Sequence, residues 1–410
     1  MHRYDLMPYW KRHAIEKSLG ISTAKKQCWP SDDTPPVTEI FDPEHLIEIF
    51  DQMKSQGGHA PGLDGDSYAD FTRPQVCERL RKLSKDVISC QYVFSKPRQL
   101  KIPKASGGTR TLALRSIWCR IVSKAMATAM SPFWEARFLP CSYGFRKGTS
   151  RWDLLLDLEQ QIYSGSRICI ELDIKDAFGS LQIPNVLAVF EQYCDDIKLL
   201  KHFEIILRGS RHGNQGIDQG DPLSPLALNV LLHHFFDTPF SEAAVTPLHR
   251  FADNIVLAGE VPEEVREGVQ FVHEFLNPLG MFLKDYSEPV DLKHQSLNAL
   301  GYEITLEKDE IRYKTFPSSW QCLEQSLMDC HEAENPPVMA NDLLRGWLSS
   351  QSPTLESQRM KQVVNRVLKL SSSTGVDTPV KHIERWTQSA RDSWLAFRQN
   401  HVNQRECLLQ

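Results

Sequence analysis

Leu248-His249-Arg250-Phe251-Ala252-Asp253-Asn254-Ile255-Val256-Leu257-Ala258-Gly259 is the stretch whose reading decides the fold. Apolar residues flank a short polar tip, Asp253–Asn254, and Pro247 stands just before it. The stretch is rich in β-branched and large apolar residues, so it reads as a buried hairpin: strand, tip, strand. A carboxylate at the tip of a buried hairpin has lost solvation, so it must be protonated, paired or metal-bound. The plainer alternative is a turn aspartate that bonds its own backbone. Partners elsewhere in the chain choose between the two.

A chain of 410 residues has room for two or three subdomains and a sizeable core. Hydrophobic content of 41% and charged content of 24% are those of a soluble protein. No apolar run reaches the ~20 residues of a membrane span, and the first ten residues carry no signal-peptide core. The ten cysteines include no C-x-x-C pair, so neither a zinc ribbon nor a disulfide framework is implied. The expected location is a reducing cytoplasm. Net charge is −5, yet from Arg79 to Lys124 twelve Lys or Arg face one acidic residue, Asp86. Such a local stripe matters more for phosphate binding than the total does.

The partners lie upstream. Ile168-Cys169-Ile170-Glu171-Leu172-Asp173-Ile174 reads as a buried strand ending in Asp173, so two aspartates each close a buried strand. Adjacent strands would bring both to one metal site, the apparatus of two-metal phosphoryl transfer. Between them, Gly213 to Pro225 is a Gly-Pro-Ser loop that enters a helix over Leu226–Phe236 and suits backbone contacts to a template. Further upstream, Leu100–Lys104 and Thr109–Leu114 form a hairpin through Gly107-Gly108. Lys104 and Arg110 flank its turn, where both can face one phosphate-bearing ligand. A helix follows from Ile117 to Met130. Ser142-Tyr143-Gly144-Phe145-Arg146-Lys147-Gly148 sets aromatics beside cations, a mixture suited to stacking on bases; the spacing also allows a tight turn. Near the start, Asp42-Pro43-Glu44 opens a helix to Met53, and Gln56–Gly65 is a turn-rich loop whose glycines permit close backbone approach.

The order D-I-K-D-A-F (173–178), Q-G-D-P-L-S-P (219–225), F-A-D-N (251–254) resembles motifs A, B and C of reverse transcriptases. P-G-L-D-G (61–65), the I-P-K…G-G-T-R hairpin and S-Y-G-F-R-K-G (142–148) resemble the fingers of the bacterial group II intron-like branch. Leu300-Gly301-Tyr302 resembles its primer grip, and Leu344–Leu348 the start of its thumb. The resemblance implies an α/β (α+β) right-hand polymerase fold. Its expected parts are a helical extension at 1–60, fingers at 61–165, a palm at 166–310 and a helical thumb at 311–410. The palm should hold a small antiparallel sheet backed by helices. The resemblance also implies RNA-directed DNA polymerase activity. Asp173, Ile174 and Asp253 would hold two Mg²⁺, with Mn²⁺ a substitute, and Asn254 would stand beside them. Lys104, Arg110, Asp176, Ala177, Phe178 and Gln219 would meet the dNTP. Tyr143, Arg146, Gly220, Pro222, Leu300, Gly301 and Tyr302 would meet template or primer.

Tyr193-Cys194-Asp195-Asp196 spells the usual Y-x-D-D better, but it precedes the Q-G-D-P loop and lies in a stretch of helical apolar spacing. Its aspartates read as exposed helix charges. Two departures stand out. Asn254 replaces the second aspartate of motif C, removing one charge, and Ser287 stands where the family places a lysine near the leaving pyrophosphate; Lys284 or a shifted alignment are the alternatives that would restore it. The tail shows no Cys/His nuclease pattern and no appended basic block, and retron strings are absent. The expectation is therefore a stand-alone enzyme most like defence-associated reverse transcriptases. Its expected partners are a cognate non-coding RNA template, a DNA product and dNTPs, with no membrane and an open oligomeric state. The alternatives are a maturase-like splicing cofactor and an inactive RNA-binding scaffold.

Overall fold

The computed structural model describes residues 35–57, 60–103, 109–194, 196–333, 335–355 and 357–408. At its centre is a four-stranded antiparallel sheet. The expected hairpin is two of its strands, β4 (Leu248–Phe251) and β5 (Asn254–Gly259), and β5 pairs next with β3 (Ile168–Asp173), then β3 with β6 (Val290–Asp291). Strand alternation sorts the side chains onto two faces. Ile168, Ile170, Leu172, Ile255 and Leu257 join the large core, whereas Cys169, Val256 and Ala258 join a second core with Leu154 and Leu158 of the helix Arg151–Tyr163. Both faces are covered, which is why β5 reads as an unbroken apolar run. Asp173 and Asn254 are register partners at the sheet's open end.

Before the sheet come helices and one hairpin, β1 (Arg98–Pro103) with β2 (Thr109–Leu114). The helix Pro43–Gln56 starts where Asp42 accepts the Glu44 amide, with proline in its first turn. The helix Ile117–Glu135 is buried nearly throughout, and the 60–65 loop lies on its start. A Cβ on Gly62 would sit 2.7 Å from Ser116 N, so the close approach that the glycine permits is to this chain itself. Trp118 donates to Asp66 at 2.7 Å and Arg120 to the Ala60 carbonyl at 2.8 Å.

After the sheet, β7 (Leu297–Ala299), β8 (Tyr302–Glu307) and β9 (Glu310–Thr315) form a separate three-stranded meander. A boundary at 310 would cut the β8–β9 hairpin. The helices Pro317–Asp329, Pro336–Ser350 and Ser357–Ser373 share a third core around Leu323, Leu344 and Val367. The last helix, Val380–Leu408, folds back onto the second core: Trp394 packs there, and Arg398 and His401 meet Glu159 and Asp157 of the helix Arg151–Tyr163. No described helix is long and apolar enough to cross a membrane.

Two expectations change. The stretch around Tyr193–Asp196 is two helices, Ile183–Tyr193 and Ile197–Arg208, and Asp196 caps the second by accepting the Lys198 and Leu199 amides; Asp195 lies outside the described residues. The basic stripe does not offer all of its cations to phosphate. Arg115 and Arg120 are buried, and Arg79 pairs with Asp66 while lying 4.3 Å above the Trp118 ring. Arg81, Lys82, Lys85, Lys96, Lys101 and Arg110 remain exposed.

Candidate active site

The two aspartates come together through backbone pairing. The Ile174 amide donates to the Asp253 carbonyl at 2.9 Å, so the end of β3 and the tip of the β4–β5 hairpin lie side by side. Both carboxylates are half-buried, as is Asn254, whose Nδ2 stands 3.5 Å from Asp253 Oδ1. The tip itself is unusual. Ala252 has φ +59°, a conformation that costs a non-glycine residue about 1 kcal/mol. Its surroundings leave no alternative. A Cβ on Gly144 would sit 2.3 Å from Ala252 N, so the 142–148 loop packs backbone to backbone against the tip.

Arg250, fully buried, fixes the tip from the other side. Nη1 donates to the Ala252 carbonyl and to Asn229 Oδ1, each at 3.0 Å. Nε and Nη2 reach Asp237 at 2.7 and 2.6 Å, and Nη2 also reaches Ser142 Oγ at 2.7 Å. These bonds occupy the fork of donors that arginine carries. Asp237 closes a π-helical turn, His233–Asp237, inserted between Ser224–Leu232 and Thr238–Ala243. Such bulges turn one side chain out of helical register, often at working sites.

A cation already stands at the pair. Residues 282–284 run antiparallel to 173–175, with Lys175 N donating to the Phe282 carbonyl at 2.7 Å and Lys284 N to the Asp173 carbonyl at 2.9 Å. This places Lys284 Nζ 2.6 Å from Asp173 Oδ1. The contact is an ion pair without hydrogen-bond alignment, so that buried oxygen still lacks a directed donor. Ser287, three residues on, is exposed.

The 213–225 loop flanks the same end of the sheet. Ile217 N donates to the Phe178 carbonyl at 2.9 Å, Gly216 N to Leu181, and Ala113 N of β2 to the Gln219 carbonyl at 2.8 Å. Gly220, at φ +109°, would bring a Cβ to 3.5 Å from the Ala113 carbonyl. Beneath the loop is a network that sequence reading missed. Arg115 Nε meets Asp218 at 2.7 Å and Nη1 meets Asp221 at 2.9 Å, all nearly fully buried, and Ser123 donates to Asp221 at 2.8 Å. Burial pushes Asp221 above the usual carboxylate range, against the pull of Arg115. Two acids in a Gly-Pro loop were the available signal. Phe178 is half-buried and meets exposed Phe145 edge-on at 6.2 Å.

Residues 102–304 match the family model described as reverse transcriptase (RNA-dependent DNA polymerase). Just under half of the chain is thus similar to a reverse transcriptase domain. Protein YkfC of Escherichia coli is 29% identical over 208 residues, 48% of this chain and 54% of that protein. The COX1/OXI3 intron 1 protein of Saccharomyces cerevisiae is 27% identical over 196 residues, 46% of this chain and 23% of that protein. The chain thus spans about half of the first relative and a quarter of the second. Among solved structures, a chain of a partial Cas6-RT-Cas1--Cas2 complex aligns with a TM-score of 0.36 at 20% identity, over 59% of this chain and 42% of that one.

Not every residue expected in the reverse transcriptase site reaches it. Tyr143 is buried and donates to Asp157 Oδ2 at 2.6 Å, so its ring cannot stack on a base; Phe145 is the exposed aromatic of that loop. Arg146 is spent inside, on Glu135 at 3.0 Å and on the Leu139 and Ser142 carbonyls at 2.9 and 2.7 Å. Tyr302 is fully buried and donates to the Ser350 carbonyl at 2.6 Å, and Leu300 is buried too, which leaves Gly301 as the exposed residue of the turn. Ala177 is buried, so only its backbone can serve a nucleotide. Asp176, at φ +46°, is exposed and lays its carboxylate over Gly179. Arg110 is exposed on β2, Pro222 is half-buried, and Lys104 lies outside the described residues.

Glu171 also escaped sequence reading. It shares a face of β3 with Asp173, and burial pushes it up to about 7, opposed by the Leu300 amide that it accepts and reinforced by the Asp173 charge. A raised carboxyl contributes stability below its ordinary range near 4.5, and this contribution is lost as pH rises through about 7.

Reverse transcriptases use divalent metal ions such as Mg²⁺. Asp173 and Asp253 fit that requirement: paired half-buried carboxylates, one with an undirected oxygen and an ammonium against it. Among the described residues no group of three or more His, Cys, Asp or Glu stands together to hold a metal ion, the surroundings of this pair included. Asn254→Asp should therefore lower the Mg²⁺ concentration for half-maximal synthesis by roughly three- to tenfold, the effect of one added carboxylate partly screened by water. A Mg²⁺ titration of primer extension checks this. Loss of activity at every concentration would mean instead that the Asn254 amide makes a bond the site needs.

Proposed function

We propose that the whole chain is an RNA-directed DNA polymerase, with Asp173 and Asp253 as its catalytic carboxylates. The observation that carries this is the Ile174–Asp253 backbone bond, which joins the two strand ends inside the matched domain. Asp173, Asp253 and the Ile174 carbonyl would hold two Mg²⁺, which when bound acidify the primer 3′-hydroxyl and offset charge on the triphosphate. Lys284 supplies positive charge beside Asp173, where the pyrophosphate departs. Arg110, exposed on β2, would clamp the triphosphate, together with Lys104 of the same sequence motif. Gln219 and Gly220, held to β2 through Ala113, present backbone to the template and incoming base.

Phe178 lies under the incoming sugar. A ring there gives a 2′-hydroxyl neither room nor a partner, at a cost of roughly 1–3 kcal/mol, about 5- to 150-fold. Primer extension on an RNA template should therefore proceed with dNTPs and not with NTPs. Phe178→Val should admit NTPs by that factor while keeping most dNTP activity. A Phe178→Val protein that loses both together, with a lowered melting temperature, would make Phe178 a packing residue only. Wild-type extension with NTPs as fast as with dNTPs would refute DNA as the product.

The template in this reading is a structured, dedicated RNA, and the synthesis serves antiphage defence, as the resemblance to stand-alone defence enzymes implies. The intron-encoded relative favours a second reading, a maturase-like splicing cofactor. Sequencing the nucleic acid that copurifies with the protein separates them. A non-coding RNA with its complementary DNA supports the first, and intron RNA without DNA the second.

A further inference from the structure

We propose that Glu171 is a positioning residue that locks the Leu300–Gly301 turn to the strand bearing Asp173. Glu171 Oε1 accepts the Leu300 amide at 2.8 Å across 129 residues of sequence. The turn needs holding. It joins β7 to β8 through two residues of positive φ, Leu300 at +53° and Gly301 at +85°, between the register partners Ala299 and Tyr302. Asn or Gly normally fills both places of such a turn, and leucine there is strained. Arg151 takes its other side, donating to the Leu300 carbonyl at 3.2 Å and lying 5.0 Å over the Tyr302 ring. The turn is thus clamped at its amide and at its carbonyl by two side chains from outside its own hairpin.

Glu171 precedes Asp173 by two residues and shares its face of β3. One strand therefore carries both a catalytic carboxylate and the anchor of the turn expected to meet the primer. Movement of either is passed to the other through one hydrogen bond. This inference rests on the reading of Leu300–Gly301 as the primer contact. An amide N–H needs an acceptor, and a neutral carbonyl oxygen serves as well as a carboxylate. Reach, not charge, is what the position requires.

The experiment compares Glu171→Gln, which keeps reach and drops charge, with Glu171→Asp, which keeps charge and is one methylene short. Single-turnover incorporation into bound primer–template, at saturating dNTP and Mg²⁺, should stay within about twofold of wild type for Glu171→Gln. It should fall roughly tenfold or more for Glu171→Asp, with the dNTP KM unchanged, because a displaced primer terminus reacts slowly though nucleotide still binds. Amide exchange at Leu300, read without nucleic acid, should be slow in wild type and Glu171→Gln and fast in Glu171→Asp. The opposite ranking would make Glu171 an essential charge and overturn the proposal, as would wild-type rates and slow exchange in both variants. A wild-type protein that extends no primer would sink the polymerase reading instead, and the Leu300 exchange would still test the anchor.

Discussion

Asp253→Ala, and equally Asp173→Ala, removes DNA synthesis by at least about a thousandfold while the protein stays folded. Both side chains are half-buried at the open end of the sheet, and neither supports a core residue. Their backbone bonds, Ile174 N to the Asp253 carbonyl and Lys284 N to the Asp173 carbonyl, survive truncation of the side chain. The fold therefore loses little; Asp173→Ala also frees Lys284 from an ion pair that is 30–43% exposed and worth little to stability. The chemistry loses its acidic centre, which no neighbour replaces because Asn254 carries no charge. Primer extension beside a thermal melt reads both quantities. More than about a tenth of wild-type synthesis in either variant would refute the assignment. Asp196→Ala is the control: it removes a helix cap, costs about 1 kcal/mol of stability, and leaves the rate per folded molecule unchanged.

The second large effect is on folding. Arg250 and Asp237 form an ion pair with neither side chain exposed. Arg250→Met leaves Asp237 charged and uncompensated in the core, with Asn229, Ser142 and the Ala252 carbonyl losing a donor as well. The expected cost is about 3–5 kcal/mol, enough to unfold many domains outright. Asp237→Leu should be comparably damaging. The double variant should be less destabilised than the sum of the two, because no buried charge is left unpaired. Denaturant melts of the three variants measure this directly. Additive losses would mean that the pair is not coupled and that the bonds to Asn229, Ser142 and Ala252 dominate. Any double variant that folds should still synthesise DNA poorly, since the Ala252 carbonyl, and with it the Asp253 tip, has lost its anchor.

The juxtaposition of the two strand-end aspartates was legible in the sequence because its signals are local. Alternating and continuous apolar runs specify β3 and β5, Pro247 and the polar tip specify the hairpin, and an aspartate closing each strand follows from position alone. The β1–β2 hairpin and the helix after it were legible for the same reason. What the sequence does not contain is the far partner of each polar or aromatic side chain. Tyr143 and Arg146 have the composition of a base-stacking loop, but residues of the helices Ile117–Glu135 and Arg151–Tyr163 fold over them and use their donors. Arg115 reads as part of a phosphate-binding stripe until Asp218, 103 residues on, neutralises it in the core. The Glu171–Leu300 bond spans 129 residues. Local propensity and periodicity decide which way a chain turns at each point. Whether a charge meets solvent, a ligand or a buried counter-charge depends on which distant segment packs against it, and packing is settled only when the whole chain has closed around its cores.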